Sequence, residues 1–182
     1  MADDAPRRLT LARLFGPHGL LGLAIAAVTL ALDQAAKVWL LQGFDLAERG
    51  VVHVLPMVDL VLVWNSGISY GLFDDDAAMA RPLLIFVAVA AAVLLAAWLR
   101  RERAVSAAIG LGLIIGGAIG NALDRAVHGA VVDFLLLHWR GWNWYVFNVA
   151  DCAIVVGVVL LLYGAVIRGN RPSADAEREP GT

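Results

Sequence analysis

The chain has 182 residues, of which 60% are hydrophobic and only 16% charged, and its mean hydropathy is +0.75. A soluble domain is nearer half apolar and a quarter charged, so this composition indicates a membrane protein and excludes a disordered chain. The single cysteine, Cys152, excludes a disulfide scaffold, and the net charge of −2 gives no reason to expect a nucleic-acid partner.

Four apolar runs are long enough to span a bilayer, whose core of about 30 Å needs about 20 mostly apolar residues per helix. They predict an all-α membrane protein, a single integral membrane domain over residues 1–182, with helices at about 19–41, 83–99, 104–123 and 146–167. Pro82, which suits a helix's first turn, precedes the second run. Arginines precede the first run, as in a signal peptide, but the run continues to Leu41 and three more follow. We therefore expect an uncleaved first helix.

The positions of the arginines predict the orientation of the chain. Nine lie in the N-terminal arm, in the loop between the second and third helices and in the tail, whereas four lie on the other side. By the positive-inside rule, both termini are expected to be cytoplasmic. Residues 168–182 then form a flexible cytoplasmic tail, and the larger loops at 42–82 and 124–145 face outward.

The two outer loops differ in composition. The first is dense in β-branched and apolar residues from Val51 to Trp64, followed by a turn signal at Asn65-Ser66-Gly67. This pattern predicts a small β-structure on the outer membrane surface. The second loop carries an aromatic cluster typical of the headgroup level, made of Trp139, Trp142, Trp144 and Tyr145.

Each charged side chain in a span costs about 2.5–3.5 kcal/mol on insertion scales, so it is expected to have a structural or functional role. Asp33 and Lys37 are four residues apart on the first helix, which predicts a structural ion pair. Asp124 and Arg125, near the end of the third helix, fit either an interfacial ion pair or a role in positioning a substrate. A close-packed face on the third helix is predicted by glycines at successive i+4 positions, Gly112, Gly116 and Gly120.

Two further acids have apolar neighbours near the outer ends of the spans. Asp133 lies in an apolar segment of the second outer loop, and Asp151 lies five residues into the fourth predicted helix, about 8 Å below its outer end. Two carboxylates close together in a poorly solvated site would share one proton. One could then take a proton from water while the other protonates a substrate carbonyl, as in an aspartic protease. The spacing alone also permits two unrelated acids.

Five short motifs occur in order along residues 19 to 167. They are Asp33-Gln34-x-x-Lys37, Asn65-Ser-Gly-Ile-Ser-Tyr70, Gly120-Asn121-x-x-Asp124-Arg125, Val132-Asp133-Phe134 and Phe147-Asn148-x-Ala150-Asp151. On four spans, this set resembles the bacterial lipoprotein signal peptidase family, signal peptidase II. The resemblance implies an aspartic endopeptidase of the inner membrane. Such an enzyme removes the signal peptide of a prolipoprotein by cutting before a diacylglyceryl-modified cysteine.

The resemblance also implies a role for each matching residue. Asp133 and Asp151 match the catalytic pair. The residues expected to position the substrate or the acids are Asn65, Asn121, Arg125 and Asn148, and those expected to support the site are Asp33, Lys37 and Asp124. The first outer loop is expected to form a β-cradle and the second a lid, with the active site near the periplasmic face. We expect no metal or cofactor, prolipoprotein and membrane lipid as partners, and a monomer.

Other functions fit the sequence less well. The four histidines, at 18, 53, 128 and 138, lack the spacing of a zinc protease. Cys152 lies beside Asp151, but no base for a thiol nucleophile is identified. A proton-coupled transporter would use Asp33, Asp124 and Asp151 as relay acids, yet the acids cluster toward the outer end rather than across the bilayer. A passive scaffold would leave the buried carboxylates without a purpose.

Overall fold

The computed structural model describes residues 15–67 and 77–169, with only the backbone described at 77–79 and 168–169. Most of the predicted N-terminal arm, most of the predicted tail and part of the first outer loop therefore lie outside the described residues. In chain order the elements are α1 (Gly19–Val38), a π-helical turn (Trp39–Gly43), α2 (Leu46–Arg49), β1 (Val52–Leu55), β2 (Val58–Asn65), α3 (Ala77–Leu99), α4 (Val105–His128), β3 (Val131–Trp139), β4 (Trp142–Phe147) and α5 (Val149–Gly169).

Four helices in the described part of the chain are long and apolar enough to cross a membrane. They are α1 with its π-helical turn, α3, α4 and α5, and they correspond to the four predicted spans. The boundaries differ from the prediction in three places. Helix α3 begins at Ala77, so Pro82 lies inside it rather than before it. Helix α4 continues to His128, and α5 begins only at Val149.

Helix α4 is the centre of the helical part. In α4, 56% of the apolar span is buried inside the protein, whereas the buried share of the other three spans is 11% to 28%. The predicted small-residue face explains how α4 packs so closely against α1. A Cβ atom at Gly116 would lie 2.5 Å from the carbonyl oxygen of Ala26, so only glycine permits this approach of the two backbones. The apolar core of this region includes Ala26, Leu111 and Ile115.

The outer loops form one antiparallel sheet in the order β1-β2-β3-β4. The first loop contributes β1 and β2, in agreement with the β-structure predicted there. The second loop contributes the hairpin β3–β4, a β-structure that the sequence did not predict for this loop. Strands β2 and β3 join the two loops, with Val63 opposite Asp133 and Asn65 opposite Val131.

A tight turn at Arg140 and Gly141 closes the β3–β4 hairpin. Both residues have positive φ, 46° and 85°, as the two-residue hairpin turns that match strand twist require. The aromatic side chains predicted for this loop flank the turn and are largely exposed, Trp142 to 81% and Trp144 to 86%. The opposite end of β3 is buried, with Phe134 packed on Leu40 and Leu46 under the sheet. This packing holds the strand that carries Asp133 against the helices.

Candidate active site

Asp133 lies near the buried start of β3 and is only 1% exposed. Its Oδ2 accepts a hydrogen bond from Asn65 Nδ2 at 2.9 Å, and its Oδ1 accepts one from Asn148 Nδ2 at 2.7 Å. Burial raises the pKa of Asp133 to about 6, and the hydrogen bond from Asn65 opposes that rise. The negative charge of Asp151 raises the pKa further. The pKa of Asp133 is therefore closer to neutral pH than that of an ordinary aspartate.

Asp151 lies in the first turn of α5 rather than deeper in the helix. The estimate of about 8 Å below the helix end was wrong, because residues 146–148 belong to β4 and to the link before α5. Asn148 and Asp151 cap this turn reciprocally. The Asp151 N–H donates to Asn148 Oδ1 at 3.0 Å, and the Asn148 N–H donates to Asp151 Oδ2 at 3.3 Å. A carboxylate at a helix N-terminus is also favoured by the helix dipole.

Asn148 connects the two acids. Its side chain is completely buried, and its Nδ2 contacts both Asp133 and, at 3.1 Å, Asn121 Oδ1. Asn121 Nδ2 in turn donates to Asp151 Oδ1 at 2.8 Å. A chain of amide hydrogen bonds thus runs from one carboxylate to the other. Because these amides donate without carrying a charge, they fix the orientation of both acids and add no positive charge beside them.

Arg125 lies at the edge of this network. Its Nη1 donates to the backbone oxygen of Asn121 at 3.3 Å. Its Nε is buried and has no hydrogen-bond partner among the side chains and backbone that the structure describes. The guanidinium lies beside Gly67, where a Cβ atom would be 3.1 Å from Nη2. Gly67 follows Asn65, whose Oδ1 accepts the Gly67 N–H at 2.8 Å. The arginine therefore has donor capacity next to the asparagine that binds Asp133.

A buried lysine lies behind the site, between two buried acids. Lys37 Nζ is 2.7 Å from Asp33 Oδ2 and 2.6 Å from Asp124 Oδ2. The three side chains are at most 3% exposed. The sequence predicted the pair of Asp33 with Lys37 and left Asp124 open between an ion pair with Arg125 and a role in positioning a substrate. In the structure, Lys37 is the cation that binds Asp124.

Each buried acid also holds the backbone next to one member of the candidate catalytic pair. Asp33 Oδ1 accepts the Ala150 N–H at 2.9 Å, immediately before Asp151. Asp124 Oδ2 accepts the Val132 N–H at 3.1 Å, immediately before Asp133. Lys37 connects these two contacts, so the relative position of β3 and α5 depends on one ion-pair network.

Sequence reasoning missed one member of this network. Gln34 Nε2 donates to Asp33 Oδ2 at 3.1 Å and to Asp124 Oδ1 at 2.9 Å. The sequence signal for Gln34 was its place beside Asp33 in the motif Asp33-Gln34-x-x-Lys37, where only the two charged residues were assigned a role. The nine residues that the sequence did single out all lie in one connected network, namely Asp133, Asp151, Asn65, Asn121, Arg125, Asn148, Asp33, Lys37 and Asp124.

Two of the histidines belong to a separate cluster in the sheet. His53 Nδ1 lies 2.7 Å from Asp59 Oδ1, and His138 Nε2 lies 3.2 Å from the same oxygen. The hydrogen bond with His53 holds the pKa of Asp59 below its ordinary value. Within residues 15–67 and 77–169, no group of three or more His, Cys, Asp or Glu side chains is arranged to hold a metal ion.

Comparison with known proteins finds similar sequences over most of this chain. The family described as Signal peptidase (SPase) II matches residues 25–167. The lipoprotein signal peptidase of Rhodopseudomonas palustris CGA009 is 56% identical over 160 residues, which cover 86% of this chain and 96% of that protein. The lipoprotein signal peptidase of Nitrobacter hamburgensis is 52% identical over 159 residues, which cover 85% and 96%.

Two solved structures of a bacterial membrane enzyme have the same fold. The first superimposes with a TM-score of 0.71 at 20% identity and covers 88% of this chain and 94% of that one. The second has a TM-score of 0.68 at 21% identity and covers 80% and 92%. At this level of identity the likeness supports the arrangement of helices and sheet.

Proposed function

The chain belongs to the signal peptidase II family, a family of transmembrane proteases, and we propose that it is an aspartic endopeptidase that removes signal peptides from diacylglyceryl-modified prolipoproteins by cutting before the lipidated cysteine. The observation that carries the proposal is the connection of Asp133 to Asp151 through Asn148 and Asn121. The two acids come from different elements, a strand and a helix N-terminus, and three asparagine side chains donate to them.

The electrostatics of the pair fit general acid and base catalysis. Asp133, with its pKa near 6, retains a proton near neutral pH in part of the molecules, and the negative charge of Asp151 favours that protonated form. One carboxylate accepts a proton from the attacking water while the other donates a proton to the carbonyl oxygen of the scissile bond. In the second step, the acid that took the water proton donates it to the leaving nitrogen, and the other carboxylate takes back a hydroxyl proton from the tetrahedral intermediate as the C–N bond breaks. The pair is then in its starting state with one proton between the two acids, and no covalent enzyme intermediate forms.

The remaining polar residues divide into two roles in this mechanism. Asn121 and Asn148 hold the acids, and Asn65 binds the carboxylate oxygen of Asp133 that Asn148 leaves free. Arg125, whose guanidinium has further donors besides the Nη1 bound to the Asn121 oxygen, donates to a backbone carbonyl of the substrate peptide in this mechanism. The buried group of Asp33, Lys37 and Asp124 does not contact the substrate but keeps β3 and α5 in register.

The position of the site suits a lipid-anchored substrate. Asp151 lies at the outer end of a span and Asp133 on the sheet beside it. A diacylglyceryl-cysteine is held at the membrane surface by its acyl chains and reaches such a depth by lateral diffusion. With the termini in the cytoplasm, as the arginine distribution predicts, the site faces the periplasm of the inner membrane. The first-loop strands then form the cradle for the peptide, and the β3–β4 hairpin of the second loop serves as its lid.

The proposal is tested with purified protein and two synthetic precursor peptides. The peptides have the same sequence, and only one carries a diacylglyceryl group on the cysteine. We expect cleavage of the modified peptide directly before the cysteine, and cleavage of the unmodified peptide at least about a hundredfold slower, because its anchoring to the membrane is lost. Equal cleavage of both peptides would contradict the proposed substrate, and cleavage of neither would contradict the proposed activity.

A further inference from the structure

A concave surface lies at the end of the molecule opposite the sheet. It is a cavity of about 290 Å³ between the beginning of α1 and the end of α3. Gly19 and Leu23 line it from α1, and Val93 and Ala97 line it from α3. Because Gly19 and Ala97 have small side chains, the two helices leave a slot between them. Val93 is 62% exposed, so the slot opens on the outer surface of the helical bundle.

The mouth of this slot is positively charged. Arg100, the residue after the end of α3, lines the cavity, and Arg101 and Arg103 follow it, all three exposed. The only acid in this short loop, Glu102, accepts hydrogen bonds from the backbone N–H groups of Arg103 and Ala104 at 3.0 and 2.9 Å. The loop therefore carries a net positive charge where the apolar slot ends.

We propose that this slot binds an anionic phospholipid of the surrounding bilayer, with an acyl chain between α1 and α3 and the phosphate on the arginines of residues 100–103. An apolar slot with guanidinium groups at one end matches the two parts of such a lipid. Basic pockets between transmembrane helices are a known type of site for anionic headgroups, and the planar guanidinium suits a phosphate in particular. The slot is at the opposite end of the helices from Asp133 and Asp151, so this lipid is distinct from the substrate.

The experiment is native mass spectrometry of the delipidated full-length protein with phosphatidylglycerol and phosphatidylcholine of identical acyl chains. Phosphatidylglycerol should be retained more tightly. Arg100→Gln should weaken its binding about fivefold, the effect expected for one arginine at a lipid surface, and should leave phosphatidylcholine unchanged. Arg140→Gln is the matched control, since it removes one exposed arginine at the other end of the molecule.

A second pair of variants tests the slot itself. Ala97→Leu fills the cavity and should abolish the preference for phosphatidylglycerol. Leu94→Phe adds similar bulk on the same helix, at a position that is 70% exposed and does not line the cavity, and should leave binding intact. Equal retention of the two lipids, an effect of Arg140→Gln as large as that of Arg100→Gln, or no effect of Ala97→Leu would each overturn the proposal. Free glycerophosphate should not compete, because it lacks the acyl chain; competition by it would also contradict a lipid site.

Discussion

Replacing Asp133 by asparagine should make the protein relatively more stable as the pH rises. The pKa of this carboxyl is raised from 3.8 to about 6 by burial, so the folded protein binds the proton more tightly than the unfolded chain does. The stability that Asp133 contributes is therefore fully present below about pH 4 and is lost as the pH rises through 6. Asparagine does not ionise and has no such loss.

The expected size of the effect follows from the shift in pKa. A rise from 3.8 to about 6 corresponds to about 3 kcal/mol, at 1.36 kcal/mol per unit. The free energy of unfolding of Asp133→Asn, minus that of the wild-type protein, should increase by about this amount between about pH 4 and pH 8. Comparing two pH values removes the constant cost of the substitution, which places an NH₂ group against the donors Asn65 and Asn148.

The assay is reversible unfolding in mixed micelles with an increasing fraction of denaturing detergent, at a series of pH values. Asp59→Asn is the control in the same sheet. The pKa of Asp59 is held below its ordinary value, so the stability that this acid contributes is lost as the pH falls, and the control difference should not increase as the pH rises over the same range. If the Asp133→Asn difference stayed flat or fell as the pH rose, the proposed protonation of Asp133 would be refuted.

Other substitutions test separate parts of the structure. Lys37→Met should lower the free energy of unfolding by about 3–5 kcal/mol, because it leaves Asp33 and Asp124 buried without a cation; a loss below about 1 kcal/mol in the same unfolding assay would contradict that role. Gly116→Val should cost about 1–3 kcal/mol, because its side chain would meet the backbone of α1; an unchanged stability would show that the helices separate freely. Cys152→Ala should keep peptide cleavage within about twofold of the wild-type rate, whereas a loss of more than about tenfold would assign the thiol a catalytic role. Addition of a chelator to the cleavage assay should leave the rate unchanged, and inhibition reversed by a metal ion would contradict the proposed chemistry.

The spans were predictable because the bilayer imposes a length and an apolar composition that few other structures share. The residues at which the spans begin and end were less predictable. Val146 and Phe147 look like the beginning of the apolar run of α5, yet they are the end of β4. Asn148, which follows them, caps the helix. Hydropathy alone does not separate an apolar strand from the helix that follows it, and here the capping asparagine was the local signal for the helix start.

The β3–β4 hairpin was missed for a related reason. Residues 131–134 are all buried, Asp133 included, so the beginning of β3 lacks the alternation of apolar and polar residues that marks a half-exposed strand. The turn at Arg140 also lacks the usual Asn or Asp before its glycine. The partners of Lys37 could not be predicted fully either, because Asp124 approaches it only through the packing of α1 against α4.

The central claim, that Asp133 and Asp151 together carry out the cleavage, is tested most directly by the turnover of Asp133→Asn and Asp151→Asn on the diacylglyceryl-modified peptide. Each variant is first shown to be folded by its unfolding transition. Each should cleave at least about a hundredfold more slowly than the wild-type protein, since each loses a proton-transferring group. Near wild-type turnover by either folded variant would contradict the aspartic mechanism.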